Sequence, residues 1–177
     1  VLLSTAGAAL LLIDLQQRLV PAIHGGADVV ANAVRLAEAA RLLDVPCCAT
    51  EQYPQGLGPT VPELAEHPQL VLSKTAFAAT ADPGFATLLP PRTSEIVVAG
   101  AEAHVCVLQT VVGLVAARHR VVVVADAVGS RKPADMALAL ERMQRHGVEV
   151  VSTEMVLFEW LRDSAHPRFR DVQRLIK

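Results

Sequence analysis

The chain is 177 residues long, 52% hydrophobic and only 3% aromatic, and its 16 Lys and Arg against 18 Asp and Glu leave a formal charge of −2. A chain of this length suits one domain, here residues 1–177, that buries about 70% of its unfolded surface, and with so few aromatics its core has to be built from Ala, Val and Leu. The scattered basic residues argue against nucleic acid as a partner, and the apolar opening Val1 to Ile13 stops at Asp14, short of the ~20 residues a membrane-spanning helix needs and without the basic segment of a signal peptide.

Ala8 to Ile13 predicts a first, central strand ending at Asp14. A charge at the carboxyl end of a strand is a candidate site residue, or a cap or turn residue. Leu15 to His24, with Gln16, Gln17, Arg18 and Pro21, predicts a short loop. From Asp28, the spacing of Val30, Val34, Leu36, Ala37, Ala40 and Leu43 predicts a helix with Arg35, Glu38 and Arg41 toward water. Val45 to Thr50 predicts the second strand, in which Cys47 and Cys48 are packing residues because no charge adjoins them. Glu51 to Pro62 holds three prolines and two glycines, which predicts a long irregular connection of the kind that covers or builds a site. Leu70 to Ser73 predicts a third strand with Lys74 at its end, and Pro83 opens a helix expected to stop near Pro90-Pro91.

Glu95 to Val107 is the stretch around which the rest is organised. Ile96 to Ala99 reads as a strand, Gly100 as a turn, and the Leu/Val/Ala-rich segment from Val107 to Arg118 as a helix, so strand, turn and helix meet within a few residues of Cys106. Loops at the carboxyl ends of parallel strands face the crevice of the sheet, and a helix amino terminus favours a thiolate and holds a developing oxyanion. Free cysteine is also a common buried hydrophobe, so Cys106 alone decides nothing. Val121 to Val124 is a fifth strand ending near Asp126, Ala134 to His146 a helix closed by Gly147, Val148 to Val151 a sixth strand, and Glu154 to Leu161 and Pro167 to Ile176 two short helices. Three cysteines without Cys-x-x-Cys spacing fit a reduced, cytoplasmic setting.

Six strand-like runs alternating with helices predict an α/β fold, a three-layer α/β/α sandwich on a six-stranded, mainly parallel sheet. Asp14, Lys74 and Cys106 each fall at a strand's carboxyl end and so at one edge of that sheet. A carboxylate can take a thiol proton, an ammonium can stabilise anions, and a thiolate can attack an electrophilic carbon. A phosphoacceptor receiver domain would need a second acid beside Asp14 and a dinucleotide fold a Gly-x-Gly-x-x-Gly; neither is present.

Leu12-Ile13-Asp14-Leu15-Gln16, Ser73-Lys74-Thr75 with Phe77, and Val98 through Val107 with Ala103-His104-Val105-Cys106 resemble, in that order and spacing and over nearly the whole chain, the isochorismatase-like cysteine hydrolases. The segment Glu51-Gln52-Tyr53-Pro54 through Pro59 is similar to the uncharacterised isochorismatase-domain members. The resemblance implies a hydrolase of small amides or related carbonyl compounds that works through a cysteine acyl-enzyme, with Asp14 as general base, Lys74 as charge stabiliser, Cys106 as nucleophile, and the backbone N–H groups of Glu102 and Cys106 as oxyanion hole. It also implies a cis peptide at Ala101-Glu102 and a homo-oligomer, dimer or larger. Gln16, Tyr53, Phe77 and His104 are candidates for lining the substrate pocket. Metal-using nicotinamidases carry histidines and an aspartate after the second strand, where this chain has Glu51-Gln52-Tyr53-Pro54, so no metal and no cofactor is expected and nicotinamide is not the expected substrate. Lys74 and the helix terminus push Cys106 toward thiolate, Asp14 against it, and a primed thiol is expected to label with iodoacetamide below the ordinary thiol pKa. The alternative is a catalytically degenerate α/β module that binds a metabolite or acts as an oligomeric scaffold.

Overall fold

The strand-like runs become six strands in the computed structural model, which describes residues 1–177. In chain order the elements are β1 (Ala8–Ile13), α1 (Gly26–Leu42), β2 (Cys47–Gln52), α2 (Pro54–Leu57), β3 (Leu70–Lys74), β4 (Glu95–Ala101), α3 (Leu108–Ala116), β5 (Arg120–Gly129), α4 (Pro133–Arg145), β6 (Glu149–Val151), α5 (Thr153–Leu161) and α6 (Phe169–Gln173). Every neighbouring pair of strands is parallel, and their order is β3-β2-β1-β4-β5-β6. The expected α/β/α sandwich is present, with a sheet parallel throughout.

Parallel strands covered on both faces are apolar throughout, and alternate side chains enter opposite layers. Leu10, Leu12, Val97, Val122 and Val124 pack with residues of α1, α5 and α6, including Leu36, Leu157, Trp160 and Val172. Leu11, Ile13, Ile96, Val98 and Val123 pack with α3 and α4 through Val111, Leu114 and Met143. From β1 the chain winds outward to β2 and β3, and from β4 it winds the other way to β5 and β6. The order therefore reverses between β1 and β4, the switch point outside which ligands bind in open α/β sheets.

Gly100 sits at that seam. It pairs with Ile13, and the β4–β5 register shifts beside it. Its φ is +146°, and a Cβ there would lie 2.2 Å from the Ile13 carbonyl oxygen, so neither the conformation nor the space admits a side chain. We expect Gly100→Ala to cost about 2–6 kcal/mol, the sum of backbone strain and overpacking, read as a lower urea midpoint. An unchanged midpoint would show that the two strands can part there.

Several boundaries differ from the sequence reading: Gly100, read as a turn, lies inside β4, and β5 runs on to Gly129. β2 starts at Cys47 instead of Val45 and runs to Gln52, because Glu51 and Gln52 pair with Ser73 and Lys74 of β3 despite their polarity. The connection after it is not irregular throughout, since Pro54–Leu57 closes into a helical turn. The helix expected from Pro83 is only a 3-10 turn, Pro83–Thr87; with Pro90-Pro91 so close, too few residues remain to nucleate an α-helix. A π-helical turn, Ala103–Val107, precedes α3.

Candidate active site

Asp14 follows β1 with φ +52°, the left-handed region, where a non-glycine residue costs on the order of 1–3 kcal/mol. Its N–H donates to the Thr50 carbonyl at 3.1 Å. Its carboxylate is fully buried: Thr50 Oγ1 donates to Oδ1 at 2.6 Å and Lys74 Nζ donates to Oδ2 at 2.8 Å. Lys74 is the last residue of β3, two strands from Asp14, so its side chain crosses the end of β2 to reach the carboxylate. There Nζ also donates to Gln52 Oε1 at 2.7 Å. Cys106, in the π-helical turn after β4, lies with Sγ 3.9 Å from the same Gln52 oxygen.

Burial first of all, then the charge of Asp14, push the Cys106 thiol up to about 12; the charge of Lys74 pulls the other way and loses. The expectation of a primed thiolate is therefore corrected, because the sequence displays the neighbouring charges and not the desolvation. At neutral pH a thiol so placed is held in its protonated form. A thiol held neutral in this way can attack only as its proton leaves, and the Asp14 carboxylate is the acceptor beside it. Burial also raises Cys47 to about 12 and Cys48 to about 11, so acidity does not single out Cys106.

The Ala101-Glu102 peptide is cis. Beyond it the Glu102 carbonyl accepts from Val105 N–H at 3.0 Å and Val107 N–H at 3.2 Å, which closes the turn, while the Glu102 N–H has no backbone acceptor. The Glu102 carboxylate takes hydrogen bonds from the Arg131 backbone N–H at 3.1 Å and Nε at 2.9 Å. Burial alone would raise its pKa, but the hydrogen bonds and charge of Arg131, helped by His104, hold it below the ordinary value. A carboxyl depressed on folding stabilises the protein above its unfolded pKa, and that stabilisation fades as the pH falls through the folded one. Arg131→Leu is therefore expected to melt below wild type at neutral pH and to converge with it in acid; a gap that persists in acid would mean that Arg131 acts through packing.

The remaining candidates divide. Gln16 is fully buried; its Nε2 donates to the Gln52 and Gly58 carbonyls at 3.0 and 2.7 Å, and its Oε1 accepts the Gln52 N–H at 2.8 Å. That occupancy makes it a brace for the β2 end and corrects its expected place in the pocket. Tyr53 and Phe77 are 55% and 53% exposed, and the Phe77 carbonyl lies 3.4 Å from Lys74 Nζ. His104 Nδ1 lies 2.9 Å from Ser130 Oγ and its Nε2 3.9 Å from Asp135 Oδ2. It lines a cleft of ≈ 520 Å³ with Ala78, Thr80, Leu108 and Arg142. The ≈ 740 Å³ cleft, between Phe85, Pro90 and Leu114, lies away from the cluster, and Cys106 itself is 5% exposed. Sequence reasoning missed Gln52 and Thr50, which touch the cluster directly; their place at the end of a strand beside β1 was the signal. No group of three or more His, Cys, Asp or Glu is arranged to hold a metal ion, and no helix is long and apolar enough to cross a membrane.

The family described as Isochorismatase domain matches residues 8–155. Isochorismatase domain-containing protein 2 of Danio rerio is 39% identical over 175 residues, covering 98% of this chain and 89% of its own. The Homo sapiens protein of that description is 38% identical over 172 residues, covering 96% and 83%. Among solved structures, the MAR1 ribonuclease from Caenorhabditis elegans superposes with a TM-score of 0.93 at 36% identity, covering 99% of this chain and 92% of that one.

Proposed function

From the premise that the chain belongs to the isochorismatase-domain family, we propose that it is a cysteine-dependent hydrolase of a small amide or related carbonyl compound. The observation that carries this reading is the buried Lys74–Asp14 pair, 2.8 Å apart, beside the Cys106 thiol. Burying a charged pair is costly and adds little stability even where further hydrogen bonds offset the desolvation, as Thr50 and Gln52 do here, so such a pair marks a candidate site more than a structural brace.

In the proposed reaction Asp14 takes the Cys106 proton as Sγ adds to the carbonyl carbon. The Glu102 and Cys106 N–H groups hold the oxyanion, and Lys74 offsets the added negative charge. Collapse expels the amine with the proton from Asp14 and leaves a thioester on Cys106. Water, deprotonated by Asp14, then adds to the thioester and releases the acid and the thiol. The enclosed sulfur favours a small substrate; Tyr53, Phe77 and His104 are the side chains proposed to meet it, with no metal or cofactor assigned a step. Three free cysteines support a reducing, cytoplasmic setting. The exposed edge strand β3, with Leu70 and Val71 turned to solvent, supports a homo-oligomer.

The description of the worm relative makes RNA the competing substrate. A formal charge of −2 with scattered Lys and Arg offers no cationic track for a phosphate backbone, so we place amides first. Asp14→Asn keeps an acceptor for Lys74 and is expected to stay folded by circular dichroism while amide turnover falls about 10²–10⁴-fold, the range for losing a general base. Wild-type turnover in that variant would refute the base assignment, and RNA cleavage in place of amide hydrolysis would refute the substrate class.

A further inference from the structure

We propose that Gln52 is the positioning residue for the Lys74 ammonium, holding it beside Cys106 through a neutral acceptor so that its positive charge stays available to the sulfur; this rests on the cysteine-hydrolase reading above. Gln52 ends β2, between β1 and β3, and pairs in register with Lys74. It therefore stands in the gap that the lysine side chain crosses on its way to Asp14. Its amide can face only one way. Nε2 donates to the Thr75 carbonyl at 2.7 Å and Oε1 accepts from Lys74 Nζ at 2.7 Å. A carbonyl only accepts and an ammonium only donates, so a flipped amide would lose both bonds. The Gln52 backbone is pinned independently by the Gln16 side chain, through bonds of 2.8 and 3.0 Å.

Lys74 has three N–H donors. Asp14 and Gln52 engage it at 2.8 and 2.7 Å, and the third contact, Phe77 O, is long at 3.4 Å. The Gln52 oxygen that holds the ammonium is also the atom 3.9 Å from Sγ. A carboxylate at this position would set a second negative charge against one ammonium and oppose any negative charge on the sulfur. An apolar side chain would remove one of the two short contacts that fix the ammonium and leave Asp14 alone to orient it. Glutamine avoids both.

The test is the rate of Cys106 alkylation by iodoacetamide across the alkaline range, followed by peptide mass spectrometry, in wild type, Gln52→Glu and Gln52→Met. Gln52→Glu is expected to slow Cys106 labelling about tenfold at each pH, a displacement of about one pH unit, and Gln52→Met to slow it about threefold through the loosened ammonium. Labelling of Cys47 and Cys48, in the same strand, should stay at wild-type rates and so report an intact fold. Cys106 labelling within about twofold of wild type in both variants, or a parallel rise at all three cysteines, would overturn the proposal by making Gln52 a structural residue only. Slowed labelling with no acyl adduct on Cys106 from any amide would uphold the role of Gln52 and count against the hydrolase reading alone.

Discussion

Cys106→Ala is expected to lower turnover of a hydrolysed amide by three orders of magnitude or more, with little change in stability. Removing a nucleophile removes the covalent path altogether, and the remaining groups can only assist direct attack by water. The fold loses little. Sγ makes no hydrogen bond shorter than 3.9 Å, and deleting one buried sulfur costs on the order of 1 kcal/mol in packing. Cys106→Ser is expected to be nearly as inactive, since a hydroxyl is harder to deprotonate than a thiol and Asp14 is already engaged by Thr50 and Lys74. Steady-state assay beside urea unfolding checks both halves. Turnover within about tenfold of wild type in a folded Cys106→Ala protein would remove the cysteine from the chemistry.

Lys74→Met is expected to destabilise the protein by about 3–5 kcal/mol, the cost of leaving a buried carboxylate without its partner. Both side chains of this pair are fully buried. Asp14→Asn combined with Lys74→Met should regain much of the loss, because a neutral amide beside an apolar side chain leaves no charge stranded. Turnover should fall in both proteins, since neither retains the ammonium. The measurement is the urea midpoint of the single and double variants. A single variant as stable as wild type would mean that water reaches the site and screens the pair, and a double variant less stable than the single would mean that the pair is held by packing.

The parts of the site that were legible in the sequence lie where an apolar run stops at a chemically distinctive residue. Ile13 gives way to Asp14, Ser73 to Lys74, and the β4 run to the turn bearing Cys106, and parallel topology then carries three distant positions to one edge. Gln52 escaped notice because β2 ends in polar residues, so the strand seemed to stop at Thr50; pairing with β3, which local composition does not display, carries it two residues further. Gln16 was misread for a similar reason. A glutamine beside a candidate base looks like pocket lining until the Gly58 carbonyl, 42 residues on, is found to occupy it. The burial that raises the Cys106 thiol had no sequence signal, because charges can be read from a sequence and desolvation cannot. The π-helical turn had no local signature, and it places His104 on the cleft wall while Cys106 faces the cluster.

The most direct test is to mix the protein with a panel of small amides, quench in acid, and weigh the intact chain and its Cys106 peptide by mass spectrometry. The account predicts that a hydrolysed amide leaves its acyl group on the Cys106 peptide of wild type, and that Cys106→Ala carries no such mass. Amide hydrolysis that proceeds equally in Cys106→Ala, or an adduct confined to Cys47 or Cys48, would contradict it.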